Sequence, residues 1–293
     1  MPTATRTLRL AYTPPYDYAA LLGFLEKRLI PGLERVDGAA YERLIALPEG
    51  LATLRVQQDG ACDELVVRVR APVGARVPDL RARLRRVFDL DAQPRAINAV
   101  LRRHPLLRTQ VRREAGLRVP GCWDGFELAV RAVLGQQITV AAARTLAMRL
   151  TQAYGALIPG ASDARAFPTP AALAEAPMQG HGLTTQRVHT LRGLARAVCE
   201  QRLQLEPGAD LNVAVETLCA LDGIGPWTAH YIAMRALRHA DAFPASDIVL
   251  RQVAAGDRRA PMTTRALEAL SQDWRPWRAY AVLHLWRMSS ALP

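Results

Sequence analysis

Lysine is almost absent from the sequence, because Lys27 is the only lysine among 38 basic residues. Long apolar runs are also lacking, although 50% of the residues are hydrophobic, so we expect no membrane-spanning segment. The first residues do not show the charged, apolar and small-residue succession of a secretory signal. These absences favour a folded protein of the cytoplasm.

The four cysteines form no cluster. Cys62, Cys122, Cys199 and Cys219 are far apart, and none belongs to a CxxC pair. This spacing argues against a disulfide framework, a zinc site and an iron–sulfur cluster. We expect all four to be reduced and mostly buried.

The formal net charge of +11 at pH 7 favours a polyanionic partner. Phosphates that are neutralised by a basic protein release counterions, and this release drives association. Nucleic acid is therefore the first candidate partner. A genome that prefers arginine codons would give a similar composition, so the charge alone does not establish a nucleic-acid partner and the motifs are needed as further evidence.

The pattern of hydrophobic residues changes near residue 95. Before it, 51–56 and 65–70 alternate as half-buried strands do, and 18–29 and 78–88 have helical character. After it, successive helices are separated by Gly, Pro, Ser and Thr. The predicted fold class is α+β, a small N-terminal mixed α/β lobe followed by an all-α region of two lobes. The predicted domains are 1–94, then 95–124 together with 240–293, and 125–239.

Helix starts can be placed from capping residues. Thr139 is expected to cap a helix that begins at Val140, which leaves Gln136 and Gln137 at a break between helices. Asn212 is expected to cap a later helix. Pro226 suits the first position of the helix after that, where a missing N–H costs nothing.

The stretch LDGIGPWTAHY, residues 221–231, places Gly223 and Gly225 on either side of Ile224. Such a turn exposes backbone amides and the positive end of the dipole at the head of the next helix, which suits a phosphate. An ordinary tight turn with Ile224 packed inward would have the same residues. The position between two helices of a basic chain favours a helix-hairpin-helix, which grips a DNA backbone without reading sequence.

Beyond that helix, the stretch DAFPASDIVLRQ, residues 241–252, delivers Asp247 to the start of another helix. A carboxylate there can cap free amides, and capping alone would explain it. A hairpin clamped on the backbone would, however, hold a nucleotide where one acid could face its sugar carbon. Asp222 and Asp241 are weaker candidates, since the first lies inside the turn and the second precedes the Phe-Pro segment.

These two stretches, with WRPWRAYAVLHLW downstream, resemble the helix-hairpin-helix (HhH-GPD) DNA glycosylases that carry a Gly/Pro-rich loop and an essential aspartate. Within that superfamily the chain is most similar to bacterial 3-methyladenine DNA glycosylase II, the AlkA type. The resemblance includes PGCWDGFELAVRAVLGQQITVA, RVFDLDAQP and TPPYDYAALLGFLEKR upstream, so it covers nearly the whole chain. It implies an enzyme that flips alkylated purines such as 3-methyladenine and 7-methylguanine out of DNA and hydrolyses the N-glycosidic bond in base excision repair.

The resemblance also implies a role for particular residues. Asp247 would face the anomeric carbon of the flipped nucleotide and stabilise developing positive charge. Gln137 stands where the family has a leucine that fills the gap left by the base, and Ile248 follows the acid where an aromatic residue is common. The base pocket would be lined by Phe24, Trp227, Tyr231 and Trp286. The DNA backbone would be bound by Gly223, Gly225, Trp227 and Thr228. A structural Na⁺ or K⁺ ion would be held by the carbonyls of Cys219, Leu221 and Gly223.

The shortage of lysine bears on the reaction. Relatives that also nick the strand carry a lysine nucleophile at the position of Trp227, and an indole cannot form a Schiff base. Lys27 lies in a different lobe. The resemblance therefore implies a glycosylase without lyase activity that needs no cofactor and binds damaged double-stranded DNA in the bacterial cytoplasm, in association with the nucleoid. The closely spaced C-terminal cysteines of the iron–sulfur branch are absent, so we expect no cluster. A protein that grips one lesion needs only one copy, so we expect a monomer.

Two other functions are compatible with the sequence. A glycosylase for deaminated bases, hypoxanthine or uracil, could use the same scaffold. A DNA-binding module without enzymatic activity would keep only the hairpin and would leave Asp247 and the pocket aromatics unexplained.

Overall fold

The computed structural model describes residues 2–161 and 163–289, and it begins with a five-stranded antiparallel sheet of order β1-β5-β4-β3-β2. The predicted strands at 51–56 and 65–70 are confirmed as parts of β4 and β5. In β5, Leu65, Val67 and Val69 are buried while Arg68 is exposed, which is the alternation of a sheet with one covered face. The strands are β1 (Thr3–Ala11), β2 (Glu34–Asp37), β3 (Ala40–Leu47), β4 (Gly50–Gln58) and β5 (Glu64–Pro72).

Two helices accompany the sheet, α1 (Tyr18–Glu26) and α2 (Leu80–Val87), and both are shorter than the helical segments predicted there. Their apolar faces share one core with the inner face of the sheet, centred on Phe88 and Leu54. The hydroxyl of Tyr18 donates to the carbonyl of Val56 at 2.9 Å, which fixes α1 on the sheet. The N-terminal lobe is thus a sheet covered by helices, as the fold class predicts.

The rest of the described chain is helical, apart from an isolated bridge between Leu157 and Arg165. One continuous apolar core runs through it, with Trp274 and Phe243 among its largest buried side chains. The helices are α3 (Pro94–Leu101), α4 (Pro105–Arg113), α5 (Gly125–Leu134), α6 (Val140–Tyr154), α7 (Pro170–Ala174), α8 (Thr185–Cys199), α9 (Leu211–Cys219), α10 (Pro226–Arg235), α11 (Ile248–Ala255), α12 (Thr264–Ser271) and α13 (Arg278–Met288).

Most of the predicted helix starts are confirmed. The Thr139 hydroxyl accepts from the amide of Ala142 at the head of α6, and Pro226 is the first residue of α10. The prediction for α9 is wrong, because Asp210 is the cap and its carboxylate accepts from the amide of Asn212. Both residue types cap well, so composition does not decide which of two neighbours does so.

The expectation that the cysteines are mostly buried is also wrong. Cys62, Cys199 and Cys219 are exposed and Cys122 is half-buried, and all four are free. Cys199 and Cys219 are the last residues of α8 and α9, where a side chain is not covered by a following turn, and Cys62 lies in the connection between β4 and β5.

Buried polar contacts join the N-terminal lobe to the helical region. The Arg118 guanidinium, 2% exposed, donates to the carbonyl of Pro15 at 3.0 Å and also reaches that of Thr13. Arg43 of β3 pairs with Glu127 of α5. Since Phe24 lies on α1, these contacts hold one wall of the site described below against the helical region. No helix within 2–161 and 163–289 has the length and apolar character needed to span a bilayer.

Candidate active site

The hairpin between α9 and α10 has a backbone that requires glycine at one position. Gly223 has a φ of 81°, and a Cβ placed on it would lie 2.0 Å from the Thr190 hydroxyl of α8. Ile224 is 3% exposed and packs inward, while Gly223, Gly225 and Pro226 face solvent. The inward isoleucine of an ordinary tight turn and the exposed glycines that a phosphate-binding turn would need are therefore found in the same hairpin.

The head of α10 presents its backbone beside the hairpin. The amide of Ala229 donates to the carbonyl of Gly225 at 3.0 Å, which is the first hydrogen bond of the helix. The amides of Trp227 and Thr228 lie before it, where a helix has no carbonyl to accept them. Thr228 is 2% exposed, and its hydroxyl points toward Gln136 and away from the surface. The outward-facing donors of this turn are therefore backbone groups and not the Thr228 side chain.

Asp247 caps α11 and at the same time contacts a pocket aromatic residue. One carboxylate oxygen, Oδ1, accepts from the amides of Val249 at 2.9 Å and Leu250 at 3.0 Å. The other, Oδ2, accepts from the indole Nε1 of Trp227 at 2.8 Å. The side chain is thus fixed by three donors, and a carboxylate with about four acceptor positions keeps one free on Oδ2.

The other two acids of this region have different surroundings. Asp241 forms ion pairs with Arg275 at 2.6 Å and Arg278 at 2.9 Å. Asp222 is on the exposed hairpin, 3.4 Å from the imidazole of His189. Of the three candidate acids, Asp247 is the one whose carboxylate contacts a proposed pocket ring.

Three of the four predicted pocket rings lie side by side. Trp227 and Tyr231, one turn apart on α10, stack with ring centroids 5.2 Å apart and an interplanar angle of 11°. The Trp286 ring of α13 lies 6.3 Å from that of Tyr231. Both tryptophans are half-buried, so each keeps some accessible surface, whereas Tyr231 is 9% exposed.

The fourth predicted ring, Phe24, is connected to Tyr231 by an arginine that contacts both rings. A second arginine covers Phe24, and neither arginine was predicted as a site residue. The Arg235 Cζ atom lies 4.9 Å from the Phe24 ring centroid and 5.4 Å from that of Tyr231. The Arg28 Cζ atom lies 3.7 Å from the Phe24 centroid, directly over that ring. The sequence contains a signal for these contacts, because Arg28 lies four residues after Phe24 and Arg235 lies four residues after Tyr231, the spacing of one helical turn.

The arginines change the electrostatics of the pocket. Burial by itself would raise the pKa of the Tyr231 phenol, but the charges of Arg235 and Arg28 outweigh it and the pKa is lowered. Arg235 Nη1 donates to the Tyr231 hydroxyl at 2.7 Å. Burial lowers the pKa of Arg28 as well. The side of the predicted pocket that is formed by Phe24, Tyr231 and the two arginines, here called its floor, is therefore electropositive, while the two tryptophans offer electron-rich faces.

The loop between α5 and α6 lies against the hairpin. Gln137 is exposed and has a φ of 56°, a left-handed conformation that is uncommon for a residue other than glycine. Its neighbour Gln136 donates from Nε2 to the Gly223 carbonyl at 2.9 Å and to the Thr228 hydroxyl at 2.9 Å. Ile248, next to Asp247, is 49% exposed. The predicted gap-filling residue is therefore an outward side chain beside the turn.

Comparison with known proteins identifies the family to which the chain belongs. Residues 7–124 match the family model of the AlkA N-terminal domain, and residues 130–277 match that of the HhH-GPD superfamily base excision DNA repair protein. The chain is 35% identical over 280 residues to DNA-3-methyladenine glycosylase 2 of Escherichia coli, covering 94% of this chain and 95% of that one. It is 40% identical over 286 residues to the probable bifunctional transcriptional activator/DNA repair enzyme AlkA of Mycobacterium tuberculosis, covering 96% of this chain and 57% of that one.

Solved structures show the same fold at low sequence identity. The 3-methyladenine DNA-glycosylase of Archaeoglobus fulgidus superposes with a TM-score of 0.81 at 18% identity, covering 97% of this chain and 98% of that one. The 8-oxoguanine glycosylase/lyase of Clostridium acetobutylicum, in complex with double-stranded DNA, gives a TM-score of 0.72 at 18% identity and covers 94% and 93%. The chain therefore belongs to the HhH-GPD superfamily of base excision DNA repair proteins, as a DNA glycosylase related to AlkA.

Proposed function

We propose that the enzyme excises alkylated purines of the 3-methyladenine and 7-methylguanine type from double-stranded DNA, acting as a monomer on a nucleotide that it flips out of the helix. The observation that carries the proposal is the 2.8 Å hydrogen bond between Trp227 Nε1 and Asp247 Oδ2. Through this bond the acid and the first ring of the pocket form one unit. A nucleobase against Trp227 would place its sugar next to the carboxylate.

The reaction follows from the charge of the acid. As the N-glycosidic bond lengthens, its electron pair leaves with the base and positive charge develops on the sugar, where the Asp247 carboxylate stabilises it. Water adds to the sugar carbon and releases a proton to the solvent, and the free position on Oδ2 can orient that water. A base that is already cationic departs as a neutral molecule, so alkylation weakens the bond before the enzyme acts.

The pocket favours such bases through the tryptophans. A methylated purine carries positive charge in the nucleoside, and electron-rich ring faces attract it by cation–π contact. Arg28 already covers a face of Phe24. We therefore assign stacking to Trp227 and Trp286, with Phe24 as a wall that the arginines hold in place.

The substrate class can be tested with four duplexes that carry 3-methyladenine, 7-methylguanine, hypoxanthine or uracil. We expect single-turnover excision to be fastest for the two methylated purines. Faster excision of hypoxanthine or uracil would show instead an enzyme for deaminated bases, whose carbonyl groups could accept hydrogen bonds from the electropositive floor of the pocket.

We propose further that the enzyme has no lyase activity. Trp227 occupies the position where strand-nicking relatives carry lysine, and its indole N–H is engaged by Asp247. With abasic-site DNA and borohydride we expect no efficient covalent adduct. An adduct that persists in Lys27→Arg would identify another amine, and one that disappears in that variant would identify Lys27; either adduct contradicts the proposal.

We also propose that the hairpin binds a monovalent cation as a structural ion. Carbonyl oxygens suit Na⁺ or K⁺. Those of Leu221 and Gly223 each accept one hydrogen bond, from Ile224 N at 3.0 Å and Gln136 Nε2 at 2.9 Å, and a carbonyl has a second lone pair. With Cys219 they would hold the ion and stiffen the turn. Replacing Na⁺ and K⁺ by a large organic cation should then weaken DNA binding.

A further inference from the structure

Gln136 connects two parts of the DNA-binding surface that act on different features of the duplex. The hairpin around Gly223 is proposed to grip the backbone, and Gln137 is proposed to enter the gap left by the flipped base. Both Nε2 hydrogens of Gln136 are used, one on the Gly223 carbonyl and one on the Thr228 hydroxyl, each at 2.9 Å. The residue that precedes Gln137 is therefore fastened to the hairpin by its side chain.

A second contact fastens the same residue by its backbone. Arg187, in the first turn of α8, donates from Nη2 to the Gln136 carbonyl at 2.8 Å. Its helix also packs against the hairpin, since the Thr190 hydroxyl occupies the space beside Gly223. Three elements, the α5–α6 loop, the hairpin and α8, thus meet at Gln136.

The residue that follows is held in an uncommon conformation. Gln137 has a φ of 56°, which an L-residue adopts only when its surroundings determine it, and such outliers gather at functional sites. Its side chain is exposed, while the residue just before it is held at both its side chain and its carbonyl.

We propose that Gln136 is a positioning residue that sets Gln137 in its duplex-entering conformation before DNA binds and couples it to the hairpin. When the hairpin seats on the backbone, Gln137 is then already aimed at the base stack. Nucleotide flipping proceeds without an additional ordering step of the α5–α6 loop, because the entropy of that ordering has been removed in the free protein. This proposal rests on the role of Gln137 given above.

The test uses Gln136→Met, which keeps the length of the side chain and removes both donors. A duplex with 2-aminopurine next to the lesion reports flipping as a rise in fluorescence, followed by stopped flow. We expect flipping and single-turnover excision to slow about tenfold, while affinity for undamaged duplex and the thermal midpoint stay close to those of the unaltered enzyme. Gln152→Met, the same exchange at an exposed position of α6, should match the unaltered enzyme in all four measurements.

Gln137→Ala shows whether Gln136 acts through its neighbour. If it does, the double variant flips no more slowly than Gln137→Ala alone, because the effects of residues that act as one unit are not additive. The proposal would be overturned if the double variant slowed flipping by the product of the two single effects. It would also be overturned if Gln136→Met behaved like Gln152→Met. Failure of the proposed function can be distinguished from failure of this proposal. In that case the unaltered enzyme would leave the lesion duplex intact, while the fluorescence would still report flipping.

Discussion

At the scale of single residues, Asp247 combines two functions that a carboxylate usually performs separately. Its Oδ1 caps α11 through two amides, and its Oδ2 binds the Trp227 indole. A charged acceptor fixed by three donors is ordered before substrate arrives, which is what stabilisation of a transition-state charge requires. The capping interpretation and the catalytic interpretation of this residue therefore support each other.

Replacing Trp227 by Phe tests the contribution of the indole donor. The phenyl ring can still stack on Tyr231, but the hydrogen bond to Oδ2 is lost. A bond to a charged group is worth about 1.5 kcal/mol, so we expect kcat/KM for 7-methylguanine excision to fall roughly tenfold or more. Trp277→Phe, made in a half-buried tryptophan next to Tyr280, is the control. Equal activities of the two variants would show that the indole N–H does not position the acid.

At the scale of elements, the hairpin depends on how closely it packs against α8. The left-handed backbone at Gly223 and the nearby Thr190 hydroxyl both exclude a side chain. The turn that is predicted to bind DNA through its amides is therefore defined by a contact on its protein side.

Gly223→Ala should destabilise the turn and weaken binding to damaged and undamaged duplex alike. The backbone conformation alone costs an alanine about 1–2 kcal/mol, before the clash with Thr190 is counted. Gly193→Ala, on the same α8 with no atom within 4 Å of the added carbon, should instead stabilise by about 0.5–1 kcal/mol. Urea unfolding and fluorescence anisotropy measure the two effects, and similar results for both variants would contradict the expectation.

The elements also show what sequence can and cannot predict. Caps such as Thr139 and the proline that starts α10 have local causes, so the sequence was sufficient for them. The choice of Asp210 over Asn212 depends on where the chain enters α9. Arg28 lies four residues after Phe24, so its contact with that ring has a local signal. The contact of Arg235 with Phe24 depends on how α1 meets α10, which no local pattern encodes. The position of Asp247 after the glycine turn pointed to the candidate acid, whereas the pocket rings were implied by the family resemblance and not by periodicity. The domain boundaries proposed from the sequence remain a prediction.

At the scale of the whole molecule, buried polar groups tie the two regions together and make stability depend on pH. The Asp89 carboxylate accepts from the amide of Val119 and the hydroxyl of Tyr280, both at 3.0 Å. Near the C-terminus, His284 is 2% exposed, and burial lowers its pKa to about 4. The histidine is therefore neutral in the folded protein at pH values where the unfolded chain protonates it.

This pKa predicts a loss of stability in mild acid. Below about pH 6.5 the unfolded state binds a proton at His284, whereas the folded state does not until the pH approaches 4. The free energy of unfolding should therefore fall between pH 7 and pH 5, and this residue should contribute about 2 kcal/mol of that fall. Urea unfolding at both values measures the loss. His284→Leu should reduce the difference and His189→Gln, an exposed histidine, should not. If His284→Leu does not fold, the prediction can still be contradicted by the unaltered enzyme, namely if its free energy of unfolding is the same at pH 7 and pH 5.

The charge of Asp247 is tested most directly by single-turnover excision of 7-methylguanine with Asp247→Asn. Asparagine keeps an oxygen for the amides of α11 but loses the charge, so we predict a fall of about a thousandfold, with binding to abasic-site duplex retained. Asp210→Asn changes a similar cap on α9, where Oδ1 accepts from two amides, and should leave excision unchanged. Excision by Asp247→Asn within a few-fold of the unaltered enzyme, or loss of binding together with excision, would contradict the account.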